Sequence, residues 1–286
     1  MRGRTLLIAG LLTVAYAGQA SAQIVGTEHD LSGNAYDNGE VCVYCHTPHG
    51  SNTGVEAPLW NKPAGSATYS SYSSTTIDGD VLAVGSVSIA CLTCHDGTQA
   101  MDAVVNAPGM GNGTGNLGSG ALMNSGSVAM LGTDLSNDHP IGIQYSGFDS
   151  GSGMIDEDFK GTDDGLQKAT INGGPVWWVD TEDTPNVSRD KSDMILYSRL
   201  NTAEGGSGNV EPFVECASCH DPHNATEAGV QTLDGSGDPI AVYEEDGITQ
   251  ATHADGDLVW EMTSTSVNFL RMSNAGSAIC LACHVK

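Results

Sequence analysis

No cysteine in this 286-residue chain stands outside a Cys-x-x-Cys-His pentapeptide. Other things are scarce too. Lys and Arg together number 10 against 35 Asp and Glu, Phe appears four times, and no apolar run after residue 17 approaches the length of a membrane-spanning helix. Each scarcity excludes something. A formal charge of −25 excludes nucleic acid and anionic membrane surfaces as partners. A spanning helix needs about 20 apolar residues, so no transmembrane segment is expected. With 37 glycines and apolar residues scattered without 3.6 or 2.0 periodicity, few long helices or strands are expected.

What is present is four copies of one motif: Cys42-Val43-Tyr44-Cys45-His46, Cys91-Leu92-Thr93-Cys94-His95, Cys216-Ala217-Ser218-Cys219-His220 and Cys280-Leu281-Ala282-Cys283-His284. Cys-x-x-Cys-His is the attachment signature of c-type haem. The two thiols add across the vinyl groups of the macrocycle, and the adjacent histidine is aimed at the iron. Zinc ribbons and disulfides also use paired cysteines, but neither needs a histidine directly after the second one. The reading is four covalent haems, with Cys42, Cys45, Cys91, Cys94, Cys216, Cys219, Cys280 and Cys283 as thioethers and His46, His95, His220 and His284 as proximal ligands.

The N-terminus agrees. Arg2 and Arg4 precede an apolar run from Leu6 to Ala17, and Ala20-Ser21-Ala22 supplies small residues before Gln23, which reads as a signal peptide over 1–22. Its removal leaves the mature chain two charges more negative. Export and haem attachment point to the same side of a bacterial inner membrane. Residues 23–286 then form one tetrahaem domain. Its expected fold class is a mostly irregular, coil-rich multihaem cytochrome c with short helices and a few short strands, the haem chain serving as core. Because ligation energy is folding energy in such small metallodomains, the chain without haem is expected to be largely unfolded.

An internal repeat organises the motifs. Glu40 to His49 resembles Val214 to His223, and Ser88 to His95 resembles Ser277 to His284. Two two-haem units result, at about 23–105 and 206–286. Between them lies a haem-free stretch from Asp102 to Pro212. Its Gly/Asn/Ser-rich part, Asn106 to Gly126, reads as irregular loop, and its Trp177, Trp178, Tyr197 and Leu200 read as cover for haem faces. A polar excursion, Asn224 to Thr265, carries some β character near Ile240 to Tyr243.

Nine histidines less the four proximal ones leave His29, His49, His139, His223 and His253. Four distal positions are to be filled, so every haem can be bis-histidine, with His253 as the spare. Met is the alternative axial ligand, but none of the nine methionines is placed as His49, His139 and His223 are. His49 follows His46 by three residues, which span only about 10 Å when extended, too little to round a macrocycle and return to the same iron. His49, as a ligand, must therefore serve another haem, and so must His223 relative to His220. Haems in near contact follow. His139 is held extended before Pro140, and His29 is positioned to fold back on the first haem.

The segment Glu40 to His49 with the following Leu59-Trp60-Asn61, Leu92-Thr93-Cys94-His95-Asp96-Gly97, Asp138-His139-Pro140 and Phe269-Leu270-Arg271 together resemble the outer-surface tetrahaem cytochrome nanowires of metal-reducing bacteria. The resemblance implies self-association into a filament with a continuous haem chain. It implies His49 as a ligand in trans, with His29, His139 and His223 acting within the chain. It also implies an extracellular or outer-surface location, redox protein partners and extracellular electron acceptors. Electron transfer without substrate turnover is the expected role, so the protein is not expected to be an enzyme. Two alternatives stand beside it, a monomeric periplasmic tetrahaem shuttle and a catalytic multihaem reductase. Shuttles use far fewer residues for as many haems, and a reductase needs an open distal position that five further histidines argue against.

Overall fold

A computed structural model describes residues 24–25, 27–33, 40–85, 87–108, 115–117, 120–147, 156–181, 189–224, 230–231, 262–263, 269–272 and 274–285. The leader expected at 1–22, His253 and the segment Ile240 to Tyr243 lie outside these residues. In chain order the strands are β1 Ser70–Ser71, β2 Ala103–Val104, β3 Gly115–Asn116, β4 Asp134–Leu135, β5 Ile143–Gln144, β6 Leu166–Ile171, β7 Gly174–Val179, β8 Met194–Leu200, β9 Val210–Val214, β10 Val230–Gln231 and β11 Met262–Thr263. The α-helices are α1 Ser88–His95, α2 Cys216–Cys219 and α3 Ala278–Leu281; α1 and α2 each carry both cysteines of a motif and α3 carries Cys280.

The centre of the fold is an antiparallel five-stranded sheet in the order β5-β9-β8-β7-β6. It is built almost wholly from the stretch between the two expected units. β6 and β7 form a hairpin closed by Asn172 and Gly173, whose φ angles of 51° and 83° match the Asn-Gly turn that follows the right-handed twist of paired strands. The register sets Trp177 opposite Leu196, Val179 opposite Met194 and Leu166 opposite Val179, so these side chains share one face. All are buried, and with Tyr145, Val214 and Ala282 they make a single apolar core. Cys219, Ile279 and Cys283 pack against it, which sets the third and fourth motifs on this face.

The other face holds Tyr197 beside a fully buried Phe213, with the Arg199 guanidinium over the Phe213 ring at 5.7 Å. Polar groups in this region are paired. Buried Glu211 accepts from Gln144 Nε2 at 2.6 Å, Asn201 Nδ2 at 2.9 Å and Ser207 Oγ at 2.6 Å, tying β5, β8 and β9 together.

This sheet corrects the expected fold class. The chain is not a coil-rich wrapping that depends on a haem chain for its core; it has an antiparallel β core of its own side chains and few helices. Among the described residues, moreover, no three or more His, Cys, Asp or Glu side chains gather as a metal cluster. The physical reason is the cross-strand pairing of the Trp177–Val179 and Met194–Leu196 segments, which buries large apolar groups without a long apolar run. Trp177, expected as haem cover, is part of that core, and Leu200 is exposed at the end of β8. No helix among the described residues is long and apolar enough to cross a membrane.

Candidate functional site

Three of the four motifs are held by the same backbone brace. At the first, Asn61 N–H donates to Cys45 O at 2.8 Å and Thr47 N–H donates to Leu59 O at 2.9 Å, so His46 bridges Trp60. At the third, Arg271 N–H donates to Cys219 O at 2.8 Å and Asp221 N–H to Phe269 O at 2.7 Å, and His220 bridges Leu270. At the fourth, Lys160 N–H donates to Cys283 O at 2.8 Å and Val285 N–H to Asp158 O at 2.9 Å, and His284 bridges Phe159. For the first and third motifs the repeat seen in the sequence thus has a backbone counterpart. Leu59 and Phe269 even share a positive φ, 53° and 50°. The second motif instead uses α1 and a loop, with Leu131 N–H donating to His95 O at 2.8 Å.

The motifs follow one another in space in chain order. Cys45 and Cys94 lie near enough for their charges to interact. The hydrogen bond between Cys91 and Cys216, with burial, raises the Cys91 thiol, and the same bond lowers that of Cys216. Cys219 lies near Cys280 and Cys283. Burial pushes the thiols of Cys45 and Cys219 up to about 11 and that of Cys283 to about 12. No two of the eight cysteines are joined as a disulfide. Ser88 fastens the second motif to the third. Its hydroxyl accepts the Cys216 N–H at 3.0 Å and donates to Glu215, whose buried carboxylate also takes the Arg199 guanidinium at 2.8 Å.

Two histidine pairs stand out. The His46 and His223 rings are 5.9 Å apart between centroids and within 19° of parallel. The His29 and His95 rings are 6.1 Å apart at 87°. A metal–imidazole bond of about 2 Å, with about 1 Å more to each ring centre, sets two imidazoles ligating one metal from opposite sides about 6 Å apart. Each pair therefore spans the distance that one iron would bridge, and each contains the histidine of a Cys-x-x-Cys-His motif. His29 joins the second motif, not the first as its position in the chain suggests, and its other face stacks on Phe269 at 4.0 Å.

The outer nitrogens fix the tautomers. His46 Nδ1 lies 2.7 Å from Pro58 O and His95 Nδ1 lies 2.8 Å from Ala129 O. A carbonyl only accepts, so Nδ1 carries the proton in both rings and Nε2 presents a lone pair. His223 Nδ1 faces Asp221 Oδ1 at 3.3 Å, and that interaction is the main reason the Asp221 carboxyl falls to about 2. His29 is kept neutral by burial and then by His95, its value lowered to about 4. Its Nδ1 is buried without a hydrogen-bond partner. These donors fit a haem iron, which takes four ligands from its own macrocycle and two from the protein.

The remaining candidates are placed differently. His49 and His139 are exposed, and His139 Nδ1 donates to Pro140 O at 3.0 Å. His284 lies against the Phe159 ring at 4.3 Å. A cleft of about 800 Å³ opens over Cys42, Val43 and His46 at the first motif, walled by Val25, Ala107 and Pro108. Sequence reasoning misses Asp221, whose offset of two from His223 carries the signal, and Lys62, buried between the first two motifs. Comparison with models of known protein families gives no match, and comparison with curated proteins gives none.

Proposed function

We propose that this chain is an exported multihaem c-type cytochrome that moves electrons along four covalently attached haems. The observation that carries the reading is the pairing of His46 with His223 and of His29 with His95 at the separation one iron bridges, each pair beside its own two thiols. When bound, each haem supplies a one-electron ferric–ferrous couple. The residues do the rest. Cys42 and Cys45 would tether one haem at the backbone brace of the first motif, and Cys91 and Cys94 would tether another on α1. Pro58 O and Ala129 O hold the proximal imidazoles in the metal-binding tautomer, and Asp221, 3.3 Å from His223 Nδ1, orients the His223 ring. At the first and second motifs the paired histidines would both be taken by the iron and would leave no coordination position for substrate, which supports conduction over turnover.

Successive motifs lie close together, and His223 brings the third motif against the first as well, which supports electron exchange among closely placed haems. His49, exposed and three residues from His46, is free to enter a second copy. That supports polymerisation into an extracellular filament that delivers electrons to external acceptors. The test is a visible and electron paramagnetic spectrum of the native protein. All haem is expected to be low-spin, with no carbon monoxide complex on reduction; a high-spin fraction that binds nitrite or carbon monoxide would replace conduction with catalysis.

A further inference from the structure

Lys62 is fully buried. Its Nζ donates to Met101 O, a neutral acceptor, and among the described residues no carboxylate stands within ion-pair distance of it. Asp102, next along from Met101, gives its Oδ2 to the Gly120 N–H at 2.9 Å, and its buried Oδ1 has no hydrogen-bond partner, but neither oxygen is within ion-pair distance of Lys62. A buried ammonium is expensive unless an anion faces it. The charge is placed where two motifs meet. Asn61, its neighbour, ties to Cys45 O, and the Met101 carbonyl follows α1 by a short turn. The ammonium acts on the thiols of both Cys45 and Cys94. Trp60, two residues earlier, packs on Ala90 and Cys45 and adds a second buried donor, Nε1, that has no partner. The two ammonium N–H groups left after the bond to Met101 and the unpartnered Trp60 Nε1, beside two attachment sites, are the complement of a carboxylate.

We propose that Lys62 receives a propionate carboxylate of a haem attached at the first or second motif, with Trp60 Nε1 as a second donor, and thereby raises the reduction potential of that haem. The proposal rests on the multihaem reading. Reduction adds one electron to the iron, and a fixed cation held in a low-dielectric site favours that state.

The experiment is a spectroelectrochemical titration of the full chain carrying its haems, wild type against Lys62→Met, Lys62→Arg and Trp60→Phe. Covalent haem content is measured first. A wild-type chain without covalent haem would sink the parent reading, and is recognised before any variant is compared. With four haems present, Lys62→Met is expected to lower one of the four one-electron steps about tenfold in electron affinity, about 59 mV. Lys62→Arg, which keeps the charge, should stay near wild type, and Trp60→Phe should lower the same step by less. Four unchanged steps in Lys62→Met overturn the proposal, even if the variant is less stable, because Lys62 is then only structural. If Lys62→Met fails to accumulate, Trp60→Phe decides: four unchanged steps there overturn it equally.

Discussion

His46 and His223 face each other at 5.9 Å, within 19° of parallel, although one belongs to the first motif and the other follows the third. The contact joins the two halves of the internal repeat. A histidine of the second unit completes the pair begun in the first, and neither half is whole without the other.

His223→Ala should therefore turn one haem of the four high-spin and open it to carbon monoxide, leaving four haems attached. His29→Ala should do the same at the second motif, since His29 faces His95. The measurement is the carbon monoxide difference spectrum of each variant. The double variant should show two such haems, and a single variant with an unchanged low-spin spectrum would remove that histidine from the iron.

Gly173 has a φ of 83° and open space around the position a Cβ would take. Gly173→Ala meets no clash, so its cost is backbone strain alone, about 1–2 kcal/mol. Thermal unfolding should register that loss with haem content unchanged, because the β6–β7 turn is remote in sequence from all four motifs.

Burial holds the Glu215 carboxyl above the ordinary glutamate value, against the Ser88 hydroxyl and Arg199, which lower it. A group whose value is raised on folding gives its full stability below the unfolded value, about 4.3, and loses it as pH rises through the raised value. Wild-type stability should fall across that window. Glu215→Gln should lack that component of the slope while being less stable near neutral pH, since Arg199 loses its partner. Melting temperatures from pH 4 to 7 measure both.

Much of the site is legible in the sequence, and much of the fold is not. Cys-x-x-Cys-His states its chemistry in five residues, and the three-residue reach from His220 to His223 excludes a shared iron by chain length alone. Chain proximity to Cys42 assigns His29 to the first motif, but it says nothing of Phe269, which stacks on His29 from the far end of the chain. The sheet is hidden for a different reason. Its strands alternate only weakly, with Gln167, Lys168 and Ser198 among the apolar positions, and burial comes from cross-strand partners that a linear reading does not see. One local signal is there: Asn172-Gly173 between two short β-prone segments is a strong hairpin mark.

The repeat makes His49 the counterpart of His223. His223 reaches back from the second unit to His46 of the first. The same relation, carried on to another copy, would set His49 of one molecule against His220 of the next. His49→Ala is expected to abolish filaments in negative-stain electron microscopy while leaving four haems attached. Normal filaments from that variant would end the trans-ligand account.

The central claim is that every cysteine of this chain is spent on haem. Intact mass and peptide mapping of the native exported protein test it most directly. The account predicts four haem adducts, one on each of the peptides bearing Cys42 and Cys45, Cys91 and Cys94, Cys216 and Cys219, and Cys280 and Cys283. Free or disulfide-linked cysteines on those peptides, or bound zinc with no haem, would contradict it.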